Sequence, residues 1–225
     1  MTARKGLRTS RNDRNGENMI IKKLVVGPLE ENSYVAADEK TKQALVIDPG
    51  DEPDRIIELI KNNAFEVKAI ICTHAHFDHI GAVGDVKKAT GAKVLIHESD
   101  MELYRGAKDQ AAFWGYDLDD IPEPDGFLNE GDEVRIGNLT FNVFHTPGHS
   151  PGGICLYGEG VVFTGDTLFH GSVGRTDFHG GDMVKLKESF KRLLGLPEDT
   201  TVFSGHGPET TIRREKRENF FIEEL

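Results

Sequence analysis

Cysteine is scarce in this chain: only Cys72 and Cys155 occur, each inside an apolar stretch and neither in a C-x-x-C pair. That argues against a disulfide framework, gives both thiols the role of small buried hydrophobes, and makes a reducing cytoplasm the expected compartment. Long hydrophobic runs are missing as well. Nothing approaches the roughly 18 consecutive apolar residues that a membrane-crossing helix needs, so no membrane partner is expected. Positive charge is also in deficit, with 27 Lys and Arg against 38 Asp and Glu and a formal net charge of -11. General binding to phosphate backbones rests on clustered cations, so no nucleic-acid partner is expected. No low-complexity segment occurs, nor any repeat of about 20 to 50 residues. What remains is a 225-residue chain with 37% hydrophobic and 29% charged residues. That is an ordinary globular composition, long enough for one large core.

Residues 1–18 are polar and carry five basic residues against two acidic ones. They lack the apolar segment of a secretory signal and are expected to be a disordered extension, with a single catalytic domain over 19–225. Short β-rich runs follow at Ile20 to Val26, Ser33 to Ala37 and Ala44 to Ile47. Pro53 opens a helix whose Ile56, Ile57, Leu59 and Ile60 form an apolar stripe. Val67 to Cys72 is apolar almost throughout and reads as a strand buried on both faces. A helix is expected from Ile80 to Ala89, ended by Gly91, then a strand at Lys93 to Ile96 and a short helix around Ser99 to Tyr104. Residues 106–126 mix Phe113, Trp114 and Tyr116 with Asp and Pro and read as a lid or surface excursion. Further strands are expected at Val134 to Ile136, Thr140 to His145, Gly153 to Tyr157, Val161 to Thr164 and Val202 to Phe203. Helices are expected at Asp182 to Leu194 and Glu209 to Phe220. The order suggests two β-α halves packed sheet to sheet, with helices outside.

The chemistry concentrates in Thr73-His74-Ala75-His76-Phe77-Asp78-His79. Three imidazoles and a carboxylate within six residues would waste apolar packing, and protonated they would repel one another, unless a cation held them. Three later stretches repeat the logic after apolar runs: His149 in Pro147-Gly148-His149, Asp166 in Thr164-Gly165-Asp166, and His206 in Ser204-Gly205-His206-Gly207. Each alone is an ordinary Gly-rich turn. Together they supply His74, His76, Asp78, His79, His149, Asp166 and His206, about the number that two metal ions sharing a bridging carboxylate require. His97, His145, His170 and His179 lack that setting and are expected to be structural or exposed. His170 and His179 could still line a cleft.

Two divalent ions about 3.5 to 4 Å apart would give a metal-bridging hydroxide able to attack a carbonyl. Asp78 is the expected catalytic residue, a ligand that also orients the nucleophile and can shuttle a proton. Asp48, at the end of its strand, is a candidate to accept the second N–H of a ligand imidazole. Zinc is the first expectation for the metal, with iron or manganese suited to the same donors.

His74-x-His76-x-Asp78-His79, followed by His149, Asp166 and His206, resembles the motif set of the metallo-β-lactamase superfamily. The resemblance runs from about Met19 to the C-terminus. It implies an α+β, four-layer αβ/βα sandwich of two mixed β-sheets with helices on the outer faces. It further implies one metal on His74, His76 and His149, a second on Asp78, His79 and His206, and Asp166 between them. Gly165 to Phe169 with Gly174-Arg175 resembles the short, single-domain relatives of hydroxyacylglutathione hydrolase (glyoxalase II). That points to a small-molecule thioester or ester substrate, a glutathione conjugate among the candidates, with Arg175 at a matching basic position on the substrate side. Asp177 stands where that family has an aromatic residue and is a candidate to favour a less anionic substrate. The alternative is an iron-dependent persulfide dioxygenase, whose family resembles Gly174 to Phe178 on the same scaffold.

Overall fold

The computed structural model describes residues 8–11 and 19–225. The expected extension over 1–18 otherwise lies outside the described residues, except that Arg8–Arg11 forms a strand, β1, antiparallel to the next one. Six further strands complete its sheet: β2 (Met19–Val26), β3 (Glu31–Asp38), β4 (Gln43–Ile47), β5 (Glu66–Ile71), β6 (Lys93–Ile96) and β7 (Gly126–Phe127), in the order β1-β2-β3-β4-β5-β6-β7. The first four are joined antiparallel, and β4 through β7 run parallel. The second sheet has six strands in the order β13-β12-β11-β10-β9-β8: β8 (Glu133–Ile136), β9 (Leu139–His145), β10 (Ile154–Gly158), β11 (Val161–Gly165), β12 (Thr201–Ser204) and β13 (Thr210–Thr211). Only β11 and β12 pair in parallel there.

Three apolar clusters stack these layers. The central one joins Ile21, Tyr34, Leu45, Ile47 and Ile71 of the first sheet to Phe141, Val143, Leu156, Phe163 and Phe203 of the second. Each fully buried Phe contributes about 1.5–3 kcal/mol by leaving water. On the far face of the first sheet lie helices α1 (Pro53–Asn62), α2 (Phe77–Ile80), α3 (Val83–Thr90), α4 (Met101–Arg105) and α5 (Ala107–Phe113). On the far face of the second, Phe190 and Leu193 of α6 (Met183–Leu194) and Ile212 of α7 (Ile212–Glu218) cover Val162 and Val202. Two mixed sheets face to face with helices outside are the four-layer sandwich expected.

Local rules explain the helix limits. Pro53 stands at the start of α1, where its missing N–H costs nothing, and Ile56, Leu59 and Ile60 are buried beneath it. The Asp182 carboxylate accepts from the amides of Val184 and Lys185 and caps α6. Three expectations need correction. The helix over 80–89 is two helices, broken at Gly81, where a Cβ would lie 2.3 Å from the Gly50 carbonyl oxygen. The terminal helix begins at Ile212, because Thr210–Thr211 pair with β12 and the Thr211 hydroxyl accepts from the Arg214 amide. Residues 106–126 are not a free excursion: α5 buries Ala107 and Ala111 against the core.

At the end of β3, the buried Asp38 carboxylate joins the two sheets. Its Oδ2 accepts from the backbone and side-chain amides of Asn138, at 2.7 and 2.9 Å, and its Oδ1 accepts from Lys40 N at 2.8 Å. Burial opposes the charge, but these donors outweigh it and hold the carboxyl below its ordinary range. Asp38→Ala is expected to lower stability by about 2–3 kcal/mol at pH 7, measured by urea unfolding. Because the folded-state value lies below the unfolded one, this contribution is present above about pH 4 and lost as pH falls through the folded value. A wild-type to variant gap that persisted undiminished well into that acid range would contradict the assignment.

Candidate metal centre

Five strand ends deliver the site. Asp48 follows β4, Thr73 to His79 follow β5, His149 lies in the turn between β9 and β10, Asp166 follows β11 and His206 follows β12. Non-local bonds hold the last of these: Asn32 Nδ2 donates to the carbonyls of Ser204 and Gly207, at 2.8 and 2.9 Å, and the Tyr34 hydroxyl donates to Ser204 O at 2.7 Å. A strand of one sheet thus fixes a ligand loop of the other.

All seven expected ligand residues meet. His74, His76 and His149 bring one nitrogen each to within 4.8 Å of the others, and Asp78, His79 and His206 form a second such group. Asp166 reaches into both, its Oδ2 lying 3.5 Å from His149 Nε2 and 3.7 Å from His206 Nε2, and its Oδ1 3.4 Å from His79 Nε2. Asp78 Oδ2 is 3.4 Å from His206 Nε2. Asp48, His74 and His79 also cluster. There the Asp48 carboxylate is already taken up in hydrogen bonds, so the first two groups are the open ones.

Hydrogen bonds on the far edges set the imidazole tautomers. Asp48 Oδ2 accepts from His79 Nδ1 at 3.0 Å and from the Thr73 hydroxyl at 2.6 Å, while Asp48 Oδ1 accepts from Thr73 N at 2.6 Å. The Thr73 oxygen, its proton committed to Asp48, faces His74 Nδ1 at 3.2 Å and accepts from it. His149 Nδ1 donates to the Arg175 carbonyl at 2.7 Å. In each neutral ring the Nε2 lone pair then points inward. The consequence is costly for a metal-free protein: His74 Nε2, His76 Nε2, His79 Nε2 and Asp166 Oδ1 are buried without a hydrogen-bond partner. Converging, unpartnered acceptor atoms of this kind fit a bound cation and little else.

Electrostatics divide the cluster. Burial, reinforced by neighbouring imidazoles, pushes His74 far below its ordinary value and His76 down to about 3. Burial acts against His79 too, but Asp166 and Asp78 overcome it and raise that imidazole well above its ordinary value. His206 is raised, burial being outweighed by Asp78 and Asp166. Asp166 is held well below the carboxylate range, the surrounding imidazoles outweighing its burial.

Sequence patterns missed Asp100. It is fully buried and gathers the Ala75 amide at 3.0 Å, the Ser150 hydroxyl at 2.8 Å and the Gly152 amide, so it clamps the His74–His76 segment to the His149 turn. Its partners lie 25 to 52 positions away, and no local pattern marks it. Glu31, buried with both carboxylate oxygens unpartnered and 3.8 Å from His79 Nδ1, was equally unmarked. Cys72 and Cys155 are free and buried, as expected.

A cavity of about 980 Å³ opens above the cluster, lined on the ligand side by His76, Asp78, His149, Asp166 and His206 and further out by Trp114, Phe169, Arg175 and Phe178. His179 lines it too, paired with Glu102 at 3.2 Å. His97 and His145 instead stack on each other, with centroids 4.0 Å apart. Asp177, expected on the substrate side, is not in the lining. Its carboxylate is bonded to the Arg175 guanidinium at 2.6 and 2.5 Å.

The family model of the metallo-β-lactamase superfamily matches residues 26–206. The chain belongs to this superfamily. Among its relatives, a protein of Aquifex aeolicus (strain VF5) is 46% identical over 215 residues, covering 92% of this chain and 99% of its own. The hydroxyacylglutathione hydrolase GloC of Haemophilus influenzae (strain ATCC 51907 / DSM 11121 / KW20 / Rd) is 37% identical over 209 residues, covering 91% of this chain and 98% of its own. Among solved structures, TTHA1623 in a di-iron-bound form is 44% identical, with a TM-score of 0.81 over 88% of this chain and 98% of its own. As in the superfamily motif, the ligand-type residues of this chain stand at strand ends along one edge of the sandwich.

Asp48→Ala is expected to free the His79 ring and lower apparent metal affinity about 10- to 100-fold, read by competition with a chromophoric chelator. An unchanged affinity would remove Asp48 from the centre.

Proposed function

We propose that this protein is a binuclear metal-dependent hydrolase of thioester or related ester bonds. The observation that carries the reading is the pair of three-residue ligand groups sharing Asp166 on the wall of an open cavity. The relation to a hydroxyacylglutathione hydrolase supports the bond type. His74, His76 and His149 would hold one ion and Asp78, His79 and His206 the other, with Asp166 contributing to both. The donors suit zinc first and accept iron or manganese, and a relative bound to two irons supports a two-metal centre. Two such ions, when bound, supply a water of lowered pKa and a Lewis acid for the carbonyl oxygen.

The chain's own residues do the rest. Asp78, partly exposed, presents Oδ2 both to the ligand group and to the cavity, where it can orient the attacking water and carry its proton to the leaving group. Asp48, Thr73 and the Arg175 carbonyl keep the imidazoles in register. Aromatic side chains around the mouth limit water. The substrate is a small molecule, with a glutathione conjugate among the candidates. A cytoplasmic location is supported by the two free, buried cysteines. Among the described residues no helix is long and apolar enough to cross a membrane.

The experiment is metal analysis of the purified protein followed by thioester assays. About two ions per chain are expected, with hydrolysis of S-lactoylglutathione or simpler thioesters that drops about 10²- to 10⁴-fold in Asp78→Ala. One iron per chain with oxygen consumption on glutathione persulfide would establish the persulfide dioxygenase instead.

A further inference from the structure

Three of the exposed large apolar side chains, Leu29 at 41%, Phe113 at 83% and Trp114 at 49%, line the same cavity. They are not scattered. A line of ring contacts leads outward from the ligand cluster: His76 meets Phe178 edge-on at 5.5 Å, Phe178 meets Trp114 at 6.3 Å, and Trp114 meets Phe113 at 5.8 Å. An exposed aromatic wall continuous with a reactive centre is the usual form of a subsite for an apolar group.

The charges of this cavity point the same way. Among the described residues Arg175 is the only Lys or Arg in its lining, and its guanidinium lies 4.0 Å over the Phe178 ring while its Nε–Nη2 edge is bonded to the Asp177 carboxylate. His179 is turned to Glu102. Among the described residues, the one guanidinium facing a carboxylate-bearing thiol such as glutathione, which carries two carboxylates, is thus already paired with the Asp177 carboxylate.

Resting on the hydrolase reading above, we infer that the physiological substrate is an acyl thioester or ester bearing an uncharged aromatic or branched apolar group, with the Arg175–Asp177 pair disfavouring anionic thiol carriers. Hydrolysis adds water across the carbonyl–sulfur or carbonyl–oxygen bond and releases a carboxylic acid and a thiol or alcohol. No redox partner is needed.

The test uses the metal-loaded full chain and four compounds: acetyl and phenylacetyl thioesters of N-acetylcysteamine, S-benzyl thioacetate, and S-lactoylglutathione. At least one of the two aromatic compounds is expected to exceed the acetyl thioester in kcat/KM by about tenfold or more, and to exceed S-lactoylglutathione. Trp114→Ala should cut the aromatic-to-acetyl ratio about tenfold, with Phe113→Ala, at the 83% exposed outer end of the same wall, as the second variant. Asp177→Asn should raise kcat/KM for S-lactoylglutathione about three- to fivefold by releasing Arg175. Turnover that depends on Asp78 but favours S-lactoylglutathione, or ratios unmoved by both aromatic variants, would overturn the inference and leave the hydrolase reading intact. Absence of Asp78-dependent turnover on every compound would overturn both.

Discussion

The buried carboxylate of Asp48 is the constraint on which the metal centre depends. It accepts from the Thr73 amide, the Thr73 hydroxyl and His79 Nδ1, and through the Thr73 oxygen it also sets the ring of His74. His74 belongs to one ligand group and His79 to the other. A single anion therefore orients one imidazole in each half of the centre. Asp48 is held in a left-handed conformation, φ 50°, as β4 ends. Gly165, at φ 48°, presses from the end of β11, where a Cβ would stand 2.2 Å from Thr73 Oγ1. Only glycine fits that approach. The ends of β4, β5 and β11 are thus locked around one threonine.

The two halves of the cluster differ before any ion arrives. Burial keeps His74 and His76 free of protons, so their lone pairs are ready for a cation. Asp166 and Asp78 act in the opposite direction on His79 and His206, favouring their charged forms. A cation bound at the second group would compete with protons for the same nitrogens.

Much of this could be read in the sequence because the ligands sit at strand ends. An apolar run that terminates in His or Asp carries its own address, and the dense His74 to His79 segment specifies its neighbourhood without help from distant residues. The αβ/βα layering followed from the same periodicities. What was hidden is non-local. Asp100 joins two ligand loops through partners up to 52 positions away, and locally Ser99-Asp100 reads as a helix start. Asp177 looked like a substrate residue until its geometry toward Arg175 was known. Residues 106–126 read as an excursion because Asp and Pro dominate them, while the small Ala107 and Ala111 that dock α5 carry no strong periodic signal.

The centre also costs stability. Each buried polar atom left without a partner costs about 1–3 kcal/mol, and four such atoms belong to ligand residues. The fold bears this because the cost sits at one edge of the sandwich, outside the central cluster where Phe141, Phe163 and Phe203 pack. Asp48, Asp100 and Asn32 meanwhile tie the loops that carry these atoms to the closed sheets. An ion bound there would satisfy the lone pairs that no hydrogen bond reaches. Its binding free energy would then be partly folding free energy, linking occupancy of the centre to the order of its loops.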